Sequence, residues 1–333
     1  MNRRFFLLLA AGMYRGLRDM TNLQVNDRTP LEDGNVEVVH TSVFRAGANG
    51  GNACPIVPYA DRLSDIEMQT LARRFGLDTV FILQPQSKTA DLRLRYFVPD
   101  HEMGISGHAT IAAVTVALFN RSTKKKRLWI ETVSGLYEIS WEEGADGIAV
   151  TLEQNQPWFG PTAAPQQVAR VLAIPSDLFV AGSPIQCVSV SRAKLLVPLN
   201  DWKVLDAMNP DFEALWHLCD ELEVTGLYVF TRHTNKEGAD VEARQFPLRA
   251  GFPEDAAKGV AAAALGAYLA TYDHKSRTGH YHFRIAQGYA MGAPSLIEAI
   301  VECENGKVTR TAIRGTAHIV RRERILDRQV SQP

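Results

Sequence analysis

The chain predicts an α+β fold made of two similar halves, each with strands around one buried helix. Three observations carry this. Two glycine-led stretches of nearly all-small residues, 106–113 and 258–265, stand 152 positions apart, from Ser106 to Lys258. Each runs on as an apolar helix, over 114–119 and 266–270, without the polar stripe of a surface helix. A helix that is apolar all round belongs inside a protein. Finally, the order of elements recurs: strands and one surface helix precede the buried helix in both halves, which an internal duplication explains.

In order, regular patterning begins at Val36, where Val36, Val38 and His40 alternate with Glu37, Val39 and Thr41 as in a strand. Gly50-Gly51 permits a tight turn feeding a strand through Cys54 and Val57. A helix follows, opened by Ser64 and Glu67 at capping-box spacing, with Met68, Leu71, Ala72 and Phe75 on one apolar face. Asp78 lies just past its end, ahead of a strand over 80–83. Leu92, Leu94, Tyr96 and Val98 alternate with Arg93, Arg95 and Phe97 in another strand, which Pro99 ends before the first buried helix. Residues 129–152 read as meandering strands with turns at Ser134-Gly135 and 144–147, and 156–161 reads as a linker.

Beyond that linker come strands over 186–190 and 195–199, then a helix capped by Asn209 with Pro210 in its first turn. Trp216, Cys219 and Leu222 stand at helical spacing and read as core. Strands over 227–230 and 241–246 lead to the second buried helix. The expected division is a poorly ordered leader at 1–35, domains at 36–157 and 158–325, and a tail at 326–333.

Composition narrows the function. The 333 residues, 46% hydrophobic and 22% charged, suffice for two substantial cores. A net charge of -1 gives no electrostatic pull toward nucleic acid or an anionic membrane. The basic run at 124–127 reads as a solvated turn. Cys54, Cys187, Cys219 and Cys303 are scattered, without metal-ligand spacing or a secretory pattern, so reduced thiols and a cytoplasmic location are expected. Residues 2–11 imitate a signal peptide, but Gly12-Met13-Tyr14-Arg15 supplies no small-x-small cleavage site and the run is too short to span a bilayer; Met20 is an alternative start. His274, His280 and His282 form a loose cluster read as a surface loop rather than a metal site. Nucleophile-elbow, phosphate-loop and zinc-helix motifs are all missing from the sequence.

With Gly51-Asn52, Phe97-Val98-Pro99, Glu102, Gly107-His108-Ala109-Thr110, Arg244-Gln245-Phe246, the run Glu254 to Gly259, Gln287-Gly288 and Met291-Gly292-Ala293-Pro294-Ser295, the chain resembles the PhzF isomerase family, related to diaminopimelate epimerase. The resemblance covers about 36–320 in order. It implies two similar domains, each a sheet rolled around a central helix, with the active site in the cleft where both helix N-termini point. It also implies a homodimer acting without a cofactor on a small carboxylate-bearing metabolite.

By the same resemblance, family acid/base positions fall on Asp78, His108 and Asp255, with Ser106, Gly107, Lys258, Gly259 and Val260 holding substrate. Such groups suit moving a proton between carbons beside a carboxylate, while helix-terminal N–H groups hold the developing charge. Read without the family, Asp78 is a turn residue, His108 a structural hydrogen-bond partner and Asp255 a helix cap. The departures are informative. The epimerase branch carries thiols just before the helix glycines, where this chain has Ser106 and Lys258, so two-thiol racemisation is not expected. The isomerase branch commonly reads Asp-Pro-Ala-Thr-Gly-Ser where this chain reads Asp255-Ala256-Ala257-Lys258-Gly259-Val260, and Glu where it has Asp78. Lys258 therefore places a cation or, if desolvated, an amine base in the cleft, unless it only pairs with Asp255. A racemase or dehydratase of an amino or hydroxy acid, and a ligand-binding protein without catalysis, remain alternatives.

Overall fold

A computed structural model describes residues 35–120, 125–272 and 278–326. The leader apart from Asn35, the tail beyond Leu326, Lys124 and His274 lie outside them. The first half contains β1 (Val36–Val43), β2 (Asn52–Val57), α1 (Asp65–Phe75), β3 (Thr79–Leu83), β4 (Leu92–Phe97), β5 (Glu102–Met103), α2 (Gly107–Asn120), β6 (Arg127–Thr132), β7 (Gly135–Gly144) and β8 (Gly147–Glu153). The second contains β9 (Trp158–Thr162), α3 (Pro165–Leu172), β10 (Gln186–Ser189), β11 (Lys194–Leu199), α4 (Trp202–Ala207), α5 (Phe212–Glu221), β12 (Gly226–Thr231), β13 (Val241–Pro247), α6 (Gly259–Tyr272), β14 (Gly279–Gln287), β15 (Ser295–Glu304) and β16 (Lys307–Ile325).

The strands form one continuous sheet. Because β1 pairs with both β2 and β16, the strands β1, β2, β3, β4, β6, β7, β8 and β16 close a ring, and α2 packs against β1, β2, β3, β4, β8 and β16. From β16 the sheet continues through β15, β14, β13, β12, β11 and β10 to β9, and β16, β15, β14, β11 and β10 pack on α6. Parallel neighbours need a crossover. The two halves solve this alike: α1 and α2 connect the parallel pairs β2–β3 and β4–β6, while α4 with α5, and then α6, connect β11–β12 and β13–β14.

Both all-apolar helices belong to one central core, where Ile111 and Val114 of α2 and Ala261 and Leu265 of α6 are fully buried. Smaller cores lie on the outer faces, under α1 in the first half and under α3 and α5 in the second. Ser64 and Glu67 make the anticipated reciprocal capping box, and Gly76 ends α1 in the left-handed conformation.

Several expectations need correction. Within the expected second domain, 158–325, β16 pairs first with β15 and then with β1 of the first half, from Ala317 opposite Val43 to Ile325 opposite Val36. The end of the chain thus completes the first ring. The linker at 156–161 contains the start of β9, an edge strand on which prolines are tolerated. The cap of α5 is Asp211, whose carboxylate accepts from Ala214 N; Asn209 and Pro210 precede it. Helices α3 and α4 were not anticipated, although Pro165 at the first turn and the Asp201 cap are start signals. His280 and His282 lie in strand β14 facing Glu302 and Glu298 rather than in a loop. Cys219 is core as expected, whereas Trp216 and Leu222 are only partly buried against it.

Candidate active site

Each buried helix begins on a matching support. Before α2, Arg95 of β4 grips Glu102 through two bonds of 2.7 Å and lies over the Phe97 ring. Before α6, Arg244 of β13 grips Glu254 at 2.9 and 2.6 Å and lies over Phe246. Paired bonds between a planar guanidinium and a carboxylate fix direction as well as distance. Arg244 also donates to the carbonyls of Leu205, Asp206 and Met208, tying the α6 entry loop to α4.

Between the two helix starts stands Ile313 of β16. A Cβ added at Gly107 would come within 2.8 Å of Ile313 Cδ1, and one added at Gly259 within 2.6 Å. Neither glycine has a positive φ, so close approach to Ile313 is what requires them. The helices therefore converge on one residue, and both present N-terminal N–H groups there. Such groups lack intrahelical acceptors and carry the positive end of the helix dipole.

A cavity of about 290 Å³ opens at this point. Asp78, Ser106, Gly107 and His108 line it from the first half, and Lys258, Gly259 and Val260 from the start of α6. Asp78 sits between α1 and β3, where the buried Cys54 thiol donates to its carbonyl at 3.2 Å. Ser106 Oγ donates to Asp78 Oδ2 at 3.3 Å and lies 3.2 Å from His108 Nδ1. His108 Nε2 stands 3.7 Å from the same carboxylate oxygen, beyond hydrogen-bond length, and is buried with no hydrogen-bond partner among the described residues. Burial disfavours the imidazolium, so the His108 pKa is lowered despite the neighbouring Asp78 carboxylate.

On the α6 side Asp255 and Lys258 stand together. Asp255 Oδ2 lies 3.1 Å from the Nζ of Lys258, which lines the cavity, and its Oδ1 accepts from Asn52 Nδ2 at 3.3 Å. Lys258 pairs with Asp255 and also lines the cavity. The adjacent Asp255 carboxylate raises the Lys258 pKa against the opposing effect of burial, so Lys258 is an ammonium and not an amine base. The four cysteines are buried and none lines the cavity.

Arg192, Tyr137 and Asn155 also line the cavity and escaped the sequence reading. Arg192, an exposed residue between β10 and β11, adds a second cation close enough to Lys258 to oppose its protonation. Nothing in its local sequence marks it, because the loop reaches the cavity only through the pairing of β10 and β11.

The chain is similar to known proteins of one family. A family model described as phenazine biosynthesis-like protein, PhzC-PhzF, matches residues 41–323. The chain is 30% identical over 289 residues to the uncharacterized isomerase YddE of Escherichia coli K12, covering 85% of this chain and 96% of that protein. It is 29% identical over 270 residues to the trans-2,3-dihydro-3-hydroxyanthranilate isomerase of Pseudomonas aeruginosa, covering 80% and 90% respectively. The crystal structure of a Bacillus anthracis phenazine biosynthesis protein of the PhzF family superposes with a TM-score of 0.80 at 28% identity, covering 88% of this chain and 99% of that one. A probable proline racemase from Agrobacterium radiobacter, at 14% identity and a TM-score of 0.56, covers 87% of this chain and 92% of its own, and shares the fold. No helix among the described residues is long and apolar enough to cross a membrane.

Proposed function

The chain belongs to the PhzC-PhzF family of phenazine biosynthesis-like proteins, and on that premise we propose an isomerase that shifts a proton between carbons of a small carboxylate without a cofactor. The observation that carries this reading is the convergence on one cavity of a carboxylate, a neutral buried imidazole, an ammonium and two helix N-termini.

The roles follow from what each group can accept or donate. Ser106 donates to Asp78, so a coherent arrangement has His108 Nδ1–H donating to Ser106 Oγ and leaves Nε2 as a bare acceptor. Asp78 removes a proton from carbon, and His108 Nε2 accepts a hydrogen bond from the protonated carboxyl or a substrate hydroxyl. Across the cavity the Lys258 ammonium returns a proton to the enolate-like intermediate and, held in place by Asp255, recovers one from solvent, while Asp78 releases to solvent the proton it took. The N–H groups at Gly107, Gly259 and Val260 stabilise the intermediate's oxygen, and Arg192 takes the substrate carboxylate. Lys258 and Val260 stand where the related isomerases commonly carry hydroxyl residues, so the preferred substrate offers an acidic rather than a neutral polar group at that end.

Incubation with trans-2,3-dihydro-3-hydroxyanthranilate and a panel of small carboxylates in D2O, read by NMR, tests this. Deuterium should enter carbon with double-bond migration, and Asp78→Ala should abolish it. Incorporation at the wild-type rate in Asp78→Ala would overturn the assignment.

A further inference from the structure

The cavity has a second wall that the proposed proton transfer leaves unused. It is formed by β7 and by the chain just beyond β8, and register puts Tyr137 on it. Side chains opposite one another in a sheet, or two apart along a strand, share a face. Tyr137 pairs with Ile130 and stands two residues before Ile139, both of which belong to the central core, so Tyr137 points into the first ring. Two residues earlier comes Gly135, which has no side chain. Tyr137 is therefore the last inward side chain of β7, half-buried where the ring opens onto the cavity. Asp78 precedes β3, and β7 stands three places from β3 in the ring, beyond β4 and β6. Tyr137 thus faces the reacting carboxylate from across the cavity.

The chemistry of this wall is neutral. The Glu153 carboxylate is neutralised by Arg310, whose Nε donates to it at 2.8 Å and whose Nη2 makes a second bond. Gln154 spends its amide nitrogen on the carbonyls of Leu152 and Glu153. What remains free is the Tyr137 hydroxyl and the Asn155 side-chain amide, neither of which has a hydrogen-bond partner among the described residues. Asn155 is exposed at the cavity rim, yet its backbone is pinned: its carbonyl accepts from Thr311 Oγ1 at 3.1 Å, and Gln154 N donates to Thr311 O at 2.9 Å. A tyrosine hydroxyl drawn into a protein ordinarily finds a partner. Here the space it faces is the cavity.

We infer that Tyr137, with Asn155 at the rim, is a specificity-determining residue that reads a hydroxyl on the part of the substrate remote from the reacting carbon. The inference rests on the proposed site, where Lys258 and Arg192 take the acidic end. A phenol and an amide each donate and accept, so together they match a hydroxyl in both directions. At about 30 Å³ for each water-sized group, a cavity of about 290 Å³ holds about ten of them, the size of one ring bearing a carboxylate and a hydroxyl. The substrate class is then a hydroxylated cyclic carboxylate. An analogue without the hydroxyl leaves the phenol unpaired against it and is rejected.

Ligands that cannot react separate this recognition from the chemistry. Benzoate, 3-hydroxybenzoate and 4-hydroxybenzoate suit the cavity in size and differ by one hydroxyl, and calorimetric titration gives their affinities. At least one hydroxybenzoate should bind about tenfold more tightly than benzoate, and Tyr137→Phe should bring it down to the affinity of benzoate. Asn155→Ala should shrink the advantage, and an undiminished one would strike Asn155 from the assignment. Arg192→Met should weaken all three ligands alike, since each carries the carboxylate; a loss confined to the hydroxybenzoates would show Arg192 reading the hydroxyl instead. Equal affinities for the wild-type protein, no binding by any of the three, or an advantage that survives Tyr137→Phe would overturn the inference. Absence of deuterium exchange in the wild type, with the hydroxyl still discriminated, would count against the isomerase reading alone.

Discussion

Replacing Gly259 by alanine puts the reason for the two helix glycines to a quantitative test. The new methyl would lie 2.6 Å from Ile313 Cδ1, while carbon atoms settle at about 3.5–4.0 Å, so about 1 Å must be found. Ile313 is fully buried, and its Cδ1 already stands 2.8 Å from where a Gly107 methyl would be, so it is hemmed in by both helix starts. Overpacking of this kind costs about 1–3 kcal/mol, offset by up to about 1 kcal/mol from better helix propensity. A net loss of about 1–2 kcal/mol is expected. Ile313→Val, which removes Cδ1, should cost about 1 kcal/mol alone. In the double variant the nearest remaining Ile313 carbons would stand 3.8 Å from the methyl, an ordinary contact. Its loss should therefore fall well below the sum of the single losses, with a coupling of about 1–2 kcal/mol read from urea midpoints at constant slope. Losses that add would show that Gly259 is not required by Ile313.

Two further predictions concern buried charge. The Lys194 pKa of about 7 in the fold lies below the 10.5 of an unperturbed lysine, so the unfolded chain binds the extra proton between those values and wild-type stability should climb as pH rises through that window. The gap sets a ceiling of about 5 kcal/mol; after the lost bond to Thr225 O, Lys194→Met should exceed wild type by about 2–4 kcal/mol at pH 6, and a difference that does not narrow by pH 10 in urea titrations would refute this. Arg244→Met strands the Glu254 carboxylate and three carbonyls and should cost about 3–5 kcal/mol, with Arg244→Lys a poor rescue because an ammonium cannot grip both carboxylate oxygens; calorimetric melting of both variants checks this.

What the sequence made legible was local. The all-apolar helices, the capping box at Ser64, the hairpins of β6 to β8 and the cluster of Ser106, Gly107 and His108 each depend on residues a turn or two apart. What it hid depends on distant pairing. β16 changes partners midway, with adjacent exposed Arg321 and Arg322 interrupting the alternation of its 19 residues, yet it closes the first ring and carries Ile313. Arg192 reaches the cavity because of where β10 and β11 lie. The hold on Asp255 is likewise distant, since Asn52, about 200 positions earlier, reaches across to its carboxylate.

The repeated supports make the difference between the two halves more telling. Arg95 with Phe97 and Glu102, and Arg244 with Phe246 and Glu254, present their helices in the same way to the same Ile313. At the matched positions before the glycines, however, Ser106 supports a carboxylate beside a neutral imidazole, while Lys258 extends an ammonium held by its own carboxylate. A pair of thiols in those places would be alike, and either could give or take a proton, as inversion at a single carbon requires. In the proposed reaction one wall accepts and the other donates. Under the proposed reading, that asymmetry suits removing a proton at one carbon and delivering another elsewhere, so the departure at Lys258 favours migration of a double bond over racemisation.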